Sequence, residues 1–280
     1  RGEAEAGAAP PAPEVDVAPV LVEPVTLWET FTGRLEAPET VQLRPRVSGY
    51  IDEVAFEEGE LVEAGDLLFR IDPRPYEARA RAARASLGLA GGEAERARKL
   101  LGSRAISREE HDQRQAALLN ARALVDEAEA ALASAELDLA YTRVTAPVDG
   151  RIGRARVTKG NLASADQTLL ATLVSVDPLH VYFDSNEADA LDAQRLQQAG
   201  KAPPVRIGLT GEPGFPHQGQ LDFVDNRLNA DTGTLRYRAL LPNPNGIFKP
   251  GQFARVEMPV TRLDQAVLIS RKAVLADQDR

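Results

Sequence analysis

Three isolated histidines, scattered carboxylates and no cysteine are the groups from which any chemistry in this 280-residue chain would be built. His111, His180 and His217 have no companions at metal-ligand spacing, so each reads as a surface or hydrogen-bonded polar residue. The acidic pairs Glu57-Glu58 and Glu109-Glu110 are adjacent in sequence and read as solvated. Without cysteine there is no disulfide, thiolate metal site or thiol nucleophile. Neither Gly-x-x-x-x-Gly-Lys-Ser/Thr nor Gly-x-Ser-x-Gly occurs. The residues therefore predict no catalytic constellation, no cofactor and no bound metal. Whatever the chain does, it does by contact and shape.

The bulk properties narrow this further. With 33 Lys+Arg against 42 Asp+Glu the net charge is -9, which argues against coating nucleic-acid phosphates. A hydrophobic content of 43% is enough for packed cores, while an aromatic content of 5% argues against large aromatic ones. The best apolar stretch, Leu169 to Val176, is broken by Thr172 and Ser175, so no segment is expected to span a membrane. The chain begins at Arg1 with no signal-like apolar region and reads as a processed or trimmed form.

The elements fall into a plain order. Residues 1–14 are Ala, Pro, Gly and Glu with no large apolar side chain, and read as a tether. From Val15 the pattern is strand-like. Tyr76 to Ala140 is rich in Ala, Arg, Glu and Leu and free of Pro, which predicts helix. Strand-and-turn texture returns after Thr142 and runs to the end. One short helix is expected from Asn186 to Ala199, with Asp184 and Glu187 at capping-box spacing and Gly200 beyond its end.

The long helical stretch divides into two arms. In the first, Tyr76, Ala80, Ala83, Leu87, Ala90, Ala94, Ala97 and Leu101 alternate spacings of three and four. In the second, Leu118, Ala121, Val125, Ala128, Leu132, Ala135 and Leu139 do the same. These are heptad seams, and their many Ala positions allow close helix approach. Gly102 is a C′ candidate, and Ser107-Arg108-Glu109-Glu110 has the form of a capping box. Two seams joined by a short loop predict an antiparallel helical hairpin, its second arm about 48 Å long. Gly88, Gly91 and Gly92 weaken the first arm, and the arms differ in length.

The segments flanking the hairpin repeat each other at an offset of 101 residues. Val47-Ser48-Gly49-Tyr50-Ile51 answers Val148-Asp149-Gly150-Arg151-Ile152, Glu58-Gly59 answers Lys159-Gly160, and Leu68 answers Leu169. Neither copy is large enough to bury a core alone, so the two should form one pseudo-symmetric β-sandwich. That arrangement resembles a biotinyl/lipoyl-like domain. A true carrier presents a modified Lys on the turn joining its halves, where this chain inserts the hairpin. None of Lys99, Lys159, Lys201, Lys249 and Lys272 occupies that turn, so a carrier role is not expected.

A split lipoyl-like domain with an inserted α-hairpin resembles the periplasmic adaptors, or membrane fusion proteins (HlyD-like), of tripartite efflux pumps. The stretches from Thr32 to Pro73 and from Tyr141 to Leu162 resemble the resistance-nodulation-division (RND) class especially. So does Asp231 to Met258, with its Thr-Gly-Thr turn, Asn-Pro turn and Pro-Gly before a strand. The resemblance implies an α+β, elongated, multi-domain protein. Its parts would be an antiparallel coiled-coil α-hairpin in a split lipoyl-like β-sandwich, a β-barrel, and a partial membrane-proximal β-domain. The implied bounds are 74–141 for the hairpin and 41–73 with 142–174 for the sandwich. The barrel takes 26–40 with 175–258, and the membrane-proximal domain 15–25 with 259–280, reading as incomplete because the chain stops at Arg280.

By the same resemblance the protein is a non-enzymatic adaptor. It would link an inner-membrane, proton-driven RND drug transporter to a TolC-type outer-membrane channel. Periplasmic localisation is implied, with attachment to the inner membrane through an anchor outside this chain and self-association as a hexamer or trimer of dimers. Family members often carry Arg-x-x-x-Leu, six further residues and Ser at the hairpin tip, where they meet the channel. Arg96, Leu100 and Ser107 stand at that spacing. The residues agree: Leu101, not Leu100, continues the seam, and Ser107 also suits a helix cap. An adaptor of an ABC-type exporter or type I secretion system is the alternative. No nucleic acid partner is expected.

Overall fold

A computed structural model describes residues 19–102, 107–186 and 204–270. The tether at 1–14 and most of the expected 186–199 helix lie outside the described residues. In chain order the first elements are β1 (Leu21–Glu36), β2 (Thr40–Leu43), β3 (Gly49–Val54), β4 (Leu61–Val62) and β5 (Leu67–Ile71). Helices α1 (Arg74–Leu101) and α2 (Arg108–Tyr141) follow. Then come β6 (Arg143–Thr145), β7 (Gly150–Ile152), β8 (Leu162–Ala163), β9 (Ala171–Val174) and β10 (Leu179–Asn186). The last four are β11 (Pro204–Leu209), β12 (His217–Val224), β13 (Thr234–Leu241) and β14 (Phe253–Leu268). These form two compact units. One comprises Arg34–Val181 with Leu240–Gln252, and the other holds most of a six-stranded barrel.

The sandwich consists of two four-stranded sheets, ordered β2-β9-β7-β4 and β6-β5-β3-β8. Exchanging the two sequence repeats turns one order into the other, a pseudo-twofold seen strand by strand. The hydrogen bonds follow it. Ile51 N–H donates to Asn161 O at 2.9 Å, and Ile152 N–H to Glu60 O at 3.0 Å. Gly160 N–H donates to Ile51 O at 2.8 Å, and Gly59 N–H to Ile152 O at 3.0 Å. Each turn thus closes on a strand of the other copy, so neither copy completes its backbone bonding alone. Gly59 and Gly160 hold φ of 87° and 86°, the left-handed conformation that only glycine adopts freely.

The constant offset fails at one place. β5 and β9 superpose at 102, because Ala55 N–H donates to Leu68 O and Arg156 N–H to Leu170 O. Leu68 therefore answers Leu170, both fully buried, and not Leu169. An extra residue in the turn before β9 shifts the register, and a one-residue shift moves every side chain to the opposite face. The core joins both copies: Ile51, Leu68, Phe69, Ile71, Ile152, Leu170 and Leu173 are at most 1% exposed. Phe69 packs edge-on against Phe56 at 5.2 Å between centroids.

The barrel closes in the order β1-β10-β13-β12-β11-β14. Its interior stacks Phe183 on Tyr237 at 5.5 Å, with Phe31 tilted against Phe183 at 5.6 Å. Val205, Ile207, Leu221, Ala239, Val256 and Met258 complete it without exposure. β1 and β14 run unbroken through Thr26 and Pro259, where separate domains were expected to meet. Asp184, read from sequence as part of a helix cap, lies within β10 and accepts from Arg236 Nε at 2.9 Å. The cross-strand arginine, 52 residues away, is the partner that local spacing could not show.

Candidate functional site

The hairpin is the longest continuous feature, and its base is fixed before its tip. Pro73 occupies the α1 N-cap position without a side-chain cap bond. Asp72 compensates, accepting from Arg74 N at 3.1 Å, Nε at 2.8 Å and Nη2 at 2.6 Å. These Arg74 bonds hold the Asp72 carboxyl at about 2, below its usual range. Tyr76 donates its hydroxyl to Ser48 O at 2.6 Å, tying the first turn of α1 to the sandwich. At the other foot Thr142 is buried and caps α2 by donating to Leu139 O at 2.7 Å.

Between base and tip the helices meet along the seam residues. Tyr76, Ala80, Leu118 and Ala128 are buried, and Leu87, Leu101, Val125, Leu132 and Leu139 are half-buried. The flanking positions carry charge, and Arg84 of α1 donates to Glu136 of α2 at 2.5 Å. α1 continues through Gly88, Gly91 and Gly92 without interruption. The arms differ as their sequences suggested, with 28 residues in α1 and 34 in α2.

At the tip, residues 103–106 lie outside the described residues. Gly102 ends α1 in right-handed conformation, φ -76°, donating to Arg98 O and Leu100 O; it is a C-cap and not the left-handed C′ residue expected. Ser107 is the N-cap of α2, its hydroxyl accepting from Glu110 N at 3.2 Å. The Glu110 carboxylate accepts from Arg114, whose Nη1 also donates to Leu100 O at 2.7 Å. Arg114 therefore joins the opening turns of α2 to the end of α1. Sequence reading did not single it out; the i,i+4 pair with Glu110 was its only signal.

The three tip candidates sit on this frame as follows. Arg96 is exposed and pairs loosely with Glu93 at 3.8 Å. Leu100, one helical turn on, keeps 59% of its surface open to solvent. Ser107 is exposed and held by its capping bond. Arg96 and Leu100 share one face of α1 four residues apart, whereas Ser107 stands at the start of the other helix. The arrangement presents an apolar and a cationic side chain on a rigid support and offers no reacting group.

The histidines remain apart. His111 lies beside Asp112 on α2, and His217 Nε2 meets Glu212 at 2.9 Å next to the barrel. No group of three metal-capable side chains occurs among the described residues. No described helix is long and apolar enough to cross a membrane.

The architecture is a two-copy sandwich interrupted by a helical hairpin, together with a closed six-stranded barrel. Residues 39–175 match the family described as the RND MFP barrel-sandwich hybrid domain, and residues 178–262 the RND MFP beta-barrel domain. The antibiotic efflux pump periplasmic linker protein ArpA of Pseudomonas putida is 36% identical over 281 residues, covering 98% of this chain and 74% of that protein. The multidrug efflux pump subunit AcrA of Escherichia coli K12 is also 36% identical, over 94% of this chain and 70% of that one. Among solved structures, a MacA-MexA chimera carrying the MexA α-hairpin of Pseudomonas aeruginosa matches with a TM-score of 0.69 at 23% identity. The match spans 89% of this chain and 87% of the chimera. The chain belongs to the RND membrane fusion proteins, a family of adaptors and not of enzymes. Both matched domains are of the RND kind, which decides against the ABC-type alternative.

Proposed function

We propose that this protein is the periplasmic adaptor of a tripartite drug efflux pump, joining an inner-membrane RND transporter to a TolC-type outer-membrane channel. One observation carries the reading: similarity to named efflux-pump linkers at 36% identity over nearly the whole chain. The hairpin tip, with Arg96, Leu100 and Ser107, is the proposed channel contact. The barrel, together with the strands that extend β1 and β14 beyond it, is proposed to face the transporter. Attachment to the inner membrane and assembly into a hexamer or trimer of dimers belong to the same reading.

The test uses the absence of cysteine from these 280 residues. In cells making the full-length protein, Ser107→Cys carrying a photo-activated cross-linker should capture an outer-membrane channel protein. A cysteine at exposed Arg156, on the sandwich, should not. Equal capture from both positions, or none from the tip, would overturn the tip assignment. Recovery of an ATPase in place of a proton-driven transporter on co-purification would overturn the pump class.

A further inference from the structure

Two strands that end their sheets, β2 and β6, flank a cavity of about 450 Å³ at the foot of the hairpin. Tyr141, the last residue of α2, forms part of its wall. Leu43, which is buried, and Val41 and Val144, which are half-buried, line it with apolar surface. Arg44 and Arg46 follow β2, Arg143 opens β6, and all three exposed arginines border the same space. No acidic residue lines it.

Three guanidiniums without a carboxylate stand out in a chain whose net charge is -9. Elsewhere arginines meet acids: Arg84 pairs with Glu136, Arg236 with Asp184 and Arg238 with Asp222. Around the cavity the partners are neutral. Arg44 donates from Nη1 to Gln167 O at 2.5 Å and from Nη2 to Gln42 Oε1 at 3.2 Å. Arg46 donates from Nη1 to the Tyr141 hydroxyl at 3.0 Å, its guanidinium 4.8 Å from the ring centroid. These bonds orient two planar groups. A guanidinium has more N–H donors than they use, and Arg143 makes no side-chain bond among the described residues. Like charges gathered round one space repel, and an anion placed among them relieves that repulsion while accepting charge-assisted bonds.

We propose that this cavity binds a small amphiphilic anion, a carboxylate or sulfonate carried on an apolar body. The arginines hold the anionic head through the two-point bonds that guanidinium makes to oxyanions. Val41, Leu43 and Val144 receive the apolar body, and the volume suits a drug-sized molecule. A purely inorganic anion leaves that apolar surface in water, and a cation of the same size meets three like charges. Bound there, the ligand joins the end of α2 to the chain following β2, adding to the Arg46–Tyr141 contact and stiffening the foot of the hairpin. The inference concerns the sandwich alone, and its test needs neither a transporter nor a channel.

The full chain is titrated calorimetrically with naphthalene-2-sulfonate, with the uncharged naphthalene-2-sulfonamide and with inorganic sulfate. The sulfonate should bind at least about tenfold more tightly than either of the others. Equal binding of the sulfonamide would mean an apolar cleft indifferent to charge, and equal binding of sulfate a general anion site. Either result, or no binding of the sulfonate, would overturn the proposal. Arg46→Gln with Arg143→Gln should weaken the sulfonate about tenfold. Arg154→Gln with Arg156→Gln, on the same sandwich but outside the cavity, should leave it unchanged. Arg143→Gln alone removes no bond of the folded chain, so its smaller loss, about threefold, separates binding from folding. The same affinity in all these variants would place the ligand elsewhere. Amide exchange should slow at residues 41–46 and 141–145 when the sulfonate is bound, and slowing confined to the barrel strands would overturn the assignment.

Discussion

The sandwich and the hairpin belong to one compact unit but are held together by different means. The sandwich closes a core of fully buried Ile, Leu and Phe from strands about one hundred residues apart, with turns that bond the opposite copy. The hairpin has two buried side chains in each helix, and its other seam residues are half-exposed. Burial of apolar area is the main source of tertiary stability, at roughly 25 cal/mol per Å². The sandwich is therefore the rigid base. The hairpin depends on local helix bonds and a shallow seam, so it opens at lower cost, as suits an element that reaches for a partner.

The largest test of this contrast compares core deletions in the two regions. Phe69→Ala should destabilise the unit by about 3–5 kcal/mol, whereas Leu132→Ala, half-exposed already, should cost about 1 kcal/mol. Chemical denaturation followed by circular dichroism measures both, and equal losses would break the comparison. A smaller effect of opposite sign is expected within α1. Added methyl groups at Gly88 and Gly91 would meet no atom within 4 Å. Gly88→Ala and Gly91→Ala should each stabilise the hairpin by about 0.5–1 kcal/mol, read as slower amide exchange in α1. The smallest effect concerns the base. Asp72 has its carboxyl lowered to about 2, so its contribution is full above its unfolded value near 3.8 and lost as pH falls from there toward 2. The stability difference between the native protein and Asp72→Asn should shrink across that window and stay constant above it.

How much of this could be read from the sequence follows from the range of the forces involved. The heptad seam is a local pattern, and Leu87, Val125 and Leu139, which its spacing places in line, are half-buried. The repeat was visible for the same reason, through its glycine turns. Its shift to 102 was not, because the added residue changes no residue type that a pattern would notice; the Arg156–Leu170 bond and the pairing of Ile152 with Leu173 reveal it. Asp184 was misread because a capping-box spacing also arises by chance in a strand, where Arg236 decides its role. At the tip, Leu100 stands off the seam by its spacing, whereas the bond of Arg114 across the hairpin to Leu100 O is invisible in sequence, where only its i,i+4 pair with Glu110 shows.

The feet of the hairpin have one more consequence. Ile71 N–H donates to Thr142 O at 2.8 Å, so the chain leaves the sandwich and returns to it at neighbouring points. Closing a loop of this length would ordinarily cost entropy that rises with the logarithm of its size. Here the pairing of the two helices brings those ends together, and the strands meet as though a short turn joined them. The hairpin can therefore lengthen or shorten by whole turns in related chains without changing the register of a single sandwich strand. Reach across a gap becomes an evolvable quantity, separate from the stability of the base that carries it.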